Sequence, residues 1–503
     1  MERWQWITAV ALGYLAVTLW VGLTAGRRAS HSVTGYVAAD RQFGVLALYF
    51  VIGGTVFSAF AFLGGPGWAY SRGAAVFYIL TYGVLGIAPW YFVGPKAATL
   101  GRERGFVTQA QLVRGRFPSR TLSVLFALVS VLAFVPYIVL QMSGAGIVFN
   151  AVTDGNVSFA LGAALAYGVV VVYVLFGGAS AVGWTNVFQG VVMMIVAWSL
   201  GLYLPAKLYG GVGPMFEQIA AARPELLTMP GLTAAGEPWT WGAYSTAVLS
   251  SSIGFIMWPH LFMKAFTARD NLTLRRTVVL FPTFQLFLVP LLLVGFAGVL
   301  FASAPEGGPD FILPHMILET GMPAVVVGLF CAGALAASMS TGDALLHGAA
   351  SIAIEDGISP FVRLTDAAQR TLMRGLVIVV GGIAYYFTVL QSRSLVQLLL
   401  SAYGLIDQLA PPVYAALYWR RATTAGALAG LASGAATSLY FFQFPAQRPY
   451  DIHEGILGLL VNIPVLVIVS LATQRQDALH ADAFVDADEA GATAVTQQPA
   501  AAR

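Results

Sequence analysis

The chain has 503 residues, of which 58% are hydrophobic and only 10% charged, with a formal net charge of +3. A soluble domain carries about 25% charge, so this composition means a polytopic membrane protein and gives no footing for a nucleic-acid partner. The single cysteine, Cys331, excludes a disulfide framework and a cysteine-based metal site.

A spanning helix needs roughly 20 apolar residues, and thirteen stretches qualify as candidates. The first covers 6–26, longer than the roughly 7–15-residue apolar core of a signal peptide. The second, 43–68, contains Gly53-Gly54 and is expected to break there. Spans three to six are 74–93, 121–152, 159–176 and 186–208. The seventh, 241–262, is interrupted by the run Ser250-Ser251-Ser252-Ile253-Gly254. Spans eight to thirteen are 277–301, 323–353, 371–390, 395–419, 424–442 and 456–472. The tail from Thr473 is polar, alanine-rich and mildly acidic, which predicts a disordered segment over 473–503.

Lys and Arg concentrate in loops on the cytoplasmic side of membrane proteins. With the N-terminus outside and strict alternation, the outside holds only Arg3, Arg72, Lys207, Arg223, Arg393 and Arg448 of the 26 basic residues. A wrong span count would scramble that separation. The expected architecture is thus all-helical, with about thirteen transmembrane helices, a cytoplasmic C-terminus and one transport domain over 1–472.

Apolar segments interrupted at matching places in two halves point to a transporter binding site. Spans two and seven lie five apart. Because five is odd, the two copies of a five-helix repeat would face opposite ways, giving inverted halves over about 43–208 and 241–419. One helix precedes them and two follow. A broken turn frees carbonyls for a cation and leaves half-helix N-termini facing anionic groups. Thr55 and Ser58 place hydroxyls beside the first break, and the carbonyls of Gly54 and Phe57 are candidates to face the ninth span.

In that ninth span, Ala337, Ser340 and Thr341 share one helical face. Two hydroxyls and a backbone carbonyl suit a small hard cation. The same segment also reads as a packing stripe, since Gly333, Ala337, Thr341, Ala344 and Gly348 recur at helical spacing and let helices approach closely. The segment alone leaves both readings open.

The run Ala336-Ala337-Ser338-Met339-Ser340-Thr341 resembles the sodium-site helix of the sodium:solute symporter family, which includes proline, pantothenate, sugar and monocarboxylate permeases. Gly64-Gly65-Pro66-Gly67 after the first broken helix, and Gly177-Gly178 followed by Trp184-Thr185-Asn186-Val187-Phe188-Gln189, are similar to that family's patterns. The resemblance runs from span two to span twelve. It implies the inverted-repeat fold shared with amino-acid and neurotransmitter carriers, and sodium as coupling ion. Its ligands would be the carbonyls of Gly54, Phe57 and Ala337 and the hydroxyls of Ser340 and Thr341. Two departures stand out. Proline-type members have an acid where this chain has Val56, and many members have Asp in place of Asn186.

The stretches 62–70, 135–148 and 256–260 are similar to the monocarboxylate and pantothenate branches, which implies import of a small organic solute, a monocarboxylate first of all. The spans offer no Lys or Arg to pair with it. Thr55, Ser58, Gln141 and Ser251, with Gly254 at the second break, are the candidate polar contacts, and Trp258 and Tyr137 candidate walls. Each polar residue also reads as a satisfied interhelical hydrogen bond, and each aromatic as ordinary packing. Asp343 and His347, four apart, are expected to pair, or Asp343 replaces the missing charge and draws the cation inward. Asp407 either does the same or bonds a broken turn, and His260 reads as a structural histidine. No HExxH, Walker or GxSxG pattern supports enzyme chemistry. The expectation is a plasma-membrane sodium symporter in the lipid bilayer. A proton-coupled carrier, a pantothenate- or proline-type solute and a solute-sensing receptor are the alternatives.

Overall fold

The computed structural model describes residues 2–27, 32–390, 395–474 and 478–487. Among these there is no strand, only two isolated bridges, Phe43 with Ala268 and Leu232 with Pro238. Helix α1 (Arg3–Gly26) and the short α2 (Val33–Ala38) lead to α3 (Val45–Val56). A wide π-type turn over Phe60–Gly64 runs into α4 (Gly65–Arg72) and, through a 3-10 turn, α5 (Phe77–Ile87). Next come α6 (Trp90–Arg104), α7 (Gln109–Arg116), α8 (Arg120–Val152), α9 (Phe159–Tyr209) and the amphipathic α10 (Val212–Ala222). Helix α11 (Trp241–Gly254) passes through a 3-10 turn to the one-turn α12 (Pro259–Phe262). Then follow α13 (Asn271–Gln285), α14 (Leu288–Gly298), α15 (Ile312–Glu319), α16 (Ala324–Ile352) and α17 (Asp366–Leu390). The chain ends with α18 (Leu395–Ile406), α19 (Ala410–Tyr418), α20 (Thr424–Gln443), α21 (Glu454–Ala472) and α22 (Ala478–Val485).

Among the described residues eight helices are long and apolar enough to cross a bilayer, and up to ten spans result if each of two bent pairs is one span. The thirteen expected stretches fall on helical segments but not as thirteen separate rods. Spans five and six both lie in α9, which is two helices meeting at a kink at Gly178, whose φ of +50° only glycine adopts readily. Span eleven is two short helices joined by a 3-10 turn over Asp407–Leu409.

Both bent pairs break where the sequence did not place the break. The first bends by 61° between Val45–Val56 and Phe60–Ile87. Gly53 and Gly54 are helical, and their missing side chains serve packing: a Cβ on Gly53 would lie 2.3 Å from the Phe284 ring, and one on Gly54 3.2 Å from the Asn186 carbonyl. The second pair bends by 46° between Trp241–Met257 and Pro259–Thr267. The serine run stays helical, and Trp258 takes φ −53°, ψ 117°. Pro259 explains this, since proline pushes the preceding residue out of the helical region and offers no N–H to the ladder.

Helix α16 is the central rod, packed by α1, α3, α8, α9, α12 and α17. Every residue from Phe330 to Ile352 is buried. The tail departs from its expectation at α22, where Phe484 is fully buried against Phe106 and Arg420 pairs with Asp482 (2.9 Å) and Asp486 (2.5 Å). Residues 475–477 and 488–503 of the tail lie outside the described residues.

Candidate functional site

Helix α16 presents Ala337, Ser340 and Thr341, all fully buried, to the broken end of α3. There Phe57 leaves the helix at φ −84°, ψ 91°. Beyond the break, the amides that would continue the ladder are engaged elsewhere. Ala59 N–H donates to Gln141 Oε1 (3.0 Å), Phe60 N–H to Ser58 Oγ (3.2 Å) and Ala61 N–H to the Ser58 carbonyl (2.9 Å). In a continuous helix these three would serve the carbonyls of Thr55, Val56 and Phe57. The break therefore releases three carbonyls at the partially negative C-terminal end of α3.

Ser340 Oγ donates to the Gly54 carbonyl (2.7 Å) and stands 3.3 Å from the Ala337 carbonyl. Thr341 Oγ1 donates to the Thr55 carbonyl (2.9 Å). Of the five expected ion ligands, Gly54, Ala337 and Ser340 thus meet directly, and Thr341 meets the adjacent Thr55 carbonyl. Phe57 adds a released carbonyl, while its ring stacks on Phe284 at 5.0 Å. Thr55, expected at the solute, belongs to this cluster instead, because its hydroxyl accepts from Asn186 Nδ2 (3.0 Å). Asn186 also donates to the Ser340 carbonyl (3.0 Å), so one amide ties α9 to both α3 and α16. The donor set is all oxygen, uncharged and dry, which fits a small hard monovalent cation. Among the described residues no group of three or more His, Cys, Asp and Glu is placed to hold a transition metal.

The acid expected to pair with His347 does otherwise. Asp343 Oδ2 accepts from Tyr173 OH (2.7 Å) and Thr185 Oγ1 (3.2 Å), one turn along α16 from the oxygen cluster. His347 Nε2 instead bonds the Tyr36 carbonyl (2.8 Å). A carboxyl group is therefore present beside Thr185, the residue before Asn186, supplied by α16 rather than by α9. Sequence reasoning quoted Thr185 only as part of the run around Asn186 and missed Tyr173, which lies on the other side of the Gly178 kink.

Helix α8 connects the two breaks. Phe134, Tyr137 and Gln141 lie at helical spacing on one face. Tyr137 meets Trp258 at 4.9 Å between ring centroids and Phe134 stacks on it at 6.0 Å, while Gln141 holds Ala59 beyond the other break. The Gln141 carbonyl accepts from Ser338 Oγ (2.6 Å). His260 packs edge-on against Phe134 and Tyr137, and Tyr403 against Trp258. Gln141 Nε2, Trp258 Nε1 and His260 Nδ1 are buried without a hydrogen-bond partner among the described residues. The other expected solute contacts are already used. Ser58 Oγ takes the Phe60 amide, Ser251 Oγ bonds Tyr78 OH (3.3 Å), and Gly254 packs against Tyr403 and Asp407. Unfilled donors among aromatic rings are chemistry for an acceptor-bearing organic solute.

Bent spans, released carbonyls deep in an apolar fold and hydroxyls from a second helix define the class of ion-coupled secondary carriers. The chain belongs to the sodium:solute symporter family, whose family model matches residues 36–434. It is 30% identical over 488 residues to the uncharacterized symporter YhjB of Bacillus subtilis, covering 94% of this chain and 98% of that one. The monocarboxylate transport permease of Rhizobium johnstonii is 26% identical, covering 86% and 88%. The sodium/pantothenate symporter of Escherichia coli is also 26% identical, covering 84% and 88%. In fold the chain matches a solved Na+-coupled sialic acid symporter with a TM-score of 0.77, at 18% identity over 93% of this chain and 97% of that one.

Proposed function

We propose that this protein imports a small organic carboxylate together with sodium, a monocarboxylate being the narrower reading. The observation that carries it is the meeting of Ser340 and Thr341 hydroxyls with carbonyls at the broken end of α3. Sodium binds among Gly54, Phe57, Ala337, Ser340 and Thr341 and fixes the end of α3 against α16. The solute lies between the two breaks, where Gln141 Nε2 and Trp258 Nε1 donate to its carboxylate and the rings of Tyr137 and Trp258 cover its apolar part. Rocking of the broken-helix bundle against the remaining helices then opens the other side. The family supports sodium coupling. The relatives named for monocarboxylate and pantothenate act on solutes that share a carboxylate. Charge distribution supports a plasma-membrane orientation with the N-terminus outside and the C-terminus in the cytoplasm.

The test is uptake into proteoliposomes of radiolabelled lactate, pyruvate, acetate, pantothenate and proline, with and without an inward sodium gradient. At least one carboxylate is expected to accumulate only with sodium. Replacing Ser340 and Thr341 together by alanine is expected to remove sodium stimulation while the protein still reaches the membrane. Undiminished stimulation in that variant overturns the ion site. Accumulation driven by a pH gradient without sodium overturns sodium coupling in favour of protons, and binding without accumulation points to a receptor.

A further inference from the structure

A second polar cluster lies away from the ion pocket, where α11, α18, α19, α20 and α21 converge on Asp407. Its carboxylate is fully buried. Oδ2 is hydrogen-bonded by Ser250 of α11. Oδ1 has no partner among the described residues and packs against Gly254, where a Cβ would come within 2.5 Å of it. The five helices around it carry one ionisable group besides tyrosines, Glu454 at the start of α21. Tyr403 of α18 lies beside Gly254 as well. The basic groups nearby are spent on Glu454: Arg448 Nη2 is 2.8 Å from its Oε2 and His453 Nε2 is 3.8 Å away. Asp407 thus faces no counter-charge of its own among the described residues, and an uncompensated buried carboxylate is too costly to persist as an anion.

A metal cation is a poor solution here, because the neighbouring carbonyls are already used. Gln408 Nε2 donates to the carbonyls of Gly404 (3.1 Å) and Gly455 (2.9 Å), and the Gln408 carbonyl accepts from Asn462 (3.0 Å). That leaves one carboxylate and one serine, unlike the oxygen cluster at Ser340. A proton needs only the one oxygen. A polar cavity lies next to this cluster, separated from Asp407 by Glu454 and Gly455 at the start of α21. Arg448, His453 and Glu454 line a cavity of about 770 Å³ together with Thr240 and Asp451. Gly455, next to Glu454, packs directly on Asp407 Oδ2, and its amide is held by His453 Nδ1 (3.1 Å).

We propose that Asp407 is a proton-binding site loaded from this cavity, and that its protonation holds α11 closed against α18 and α21, the arrangement of this structure. The neutral carboxyl accepts the dry contact with Ser250 and Gly254. The anion demands water, which holds the cavity open. This rests on the reading of the chain as a carrier with the cavity facing outward, so acid outside promotes closure and turnover.

The test is sodium-driven uptake in proteoliposomes as external pH is varied over about three units around neutrality, with sodium stimulation measured at each pH. Wild-type uptake is expected to rise several-fold toward acid. Asp407→Asn, a mimic of the protonated carboxyl, is expected to remove that dependence and keep sodium stimulation, while Asp407→Glu keeps a pH dependence. An Asn variant with the wild-type profile overturns the proposal. Absence of sodium stimulation in the wild type is a failure of the carrier reading instead. Infrared difference spectra of the purified protein in lipid decide independently of transport. A protonated-carboxyl band that grows toward acid and is missing in Asp407→Asn supports the site, and the same band in both proteins overturns it.

Discussion

The side chains of the oxygen cluster, Ser340 and Thr341, are neutral, and the amide that ties them to α9 is one atom away from being an acid. Asn186 Nδ2 stands 3.0 Å from both Thr55 Oγ1 and the Ser340 carbonyl. Asn186→Asp would place a carboxylate at that junction. Two unit charges about 4 Å apart interact by roughly 4 kcal/mol at an effective dielectric of 20, and burying the new anion takes back part of it. The expected outcome is a half-saturating sodium concentration for uptake lower by about tenfold, equivalent to ~1.4 kcal/mol. An unchanged or higher sodium requirement would place the cation elsewhere. At this scale the shared face of the oxygen cluster was legible, while spacing left its role open between ion binding and packing. Residues three and four apart on a helix must share a face, so Ala337, Ser340 and Thr341 were readable from spacing. Phe57 and Thr55 were harder, because what they offer is a main-chain oxygen, and its availability depends on where Ala59, Phe60 and Ala61 send their amides.

Among the elements, the two bent pairs were legible as pairs but not in their position. Glycines and serines suggested the breaks, yet Gly53 and Gly54 answer to Phe284 and Asn186, and the Ser250–Gly254 run continues α11. The break in the second pair was written in Pro259, one residue past Trp258. Pro259→Ala restores an amide and removes the ring that opposes a continuous helix, a change worth about 3 kcal/mol in helix interiors. The expected result is a straighter second pair, a lower turnover number and little change in solute affinity, read as a fall in kcat for sodium-driven uptake with KM preserved. A fall in affinity with turnover preserved would mean that the bend shapes the solute pocket and takes no part in the motion. Tertiary packing decided the roles of Gly53 and Gly54, and it is invisible in a window of local sequence.

For the whole molecule, sidedness rests on charge. Moving one positive charge through 100 mV yields about 2.3 kcal/mol, so which face is outside decides whether membrane potential assists uptake. The sole cysteine, Cys331, is fully buried, which makes the native chain a silent background for an impermeant thiol reagent. Glu2→Cys is expected to react only from outside and Gln474→Cys only from inside. Labelling from the opposite faces would invert the orientation. Thirteen stretches of apolar sequence were legible as helix, whereas the kink at Gly178 and the docking of Phe484 under α7 depend on distant neighbours.

The released oxygens of Thr55, Val56 and Phe57 belong to the peptide unit itself. No codon change can delete them, provided the kink survives. On the proposed reading, the rings and amides between the breaks can then be altered without touching the main-chain part of the cation grip, which leaves Ser340 and Thr341 as its only side chains. One energy-conversion device can therefore be refitted to many nutrients, and a laboratory effort to switch cargo should begin at Tyr137, Gln141 and Trp258 and leave the loosened backbone untouched.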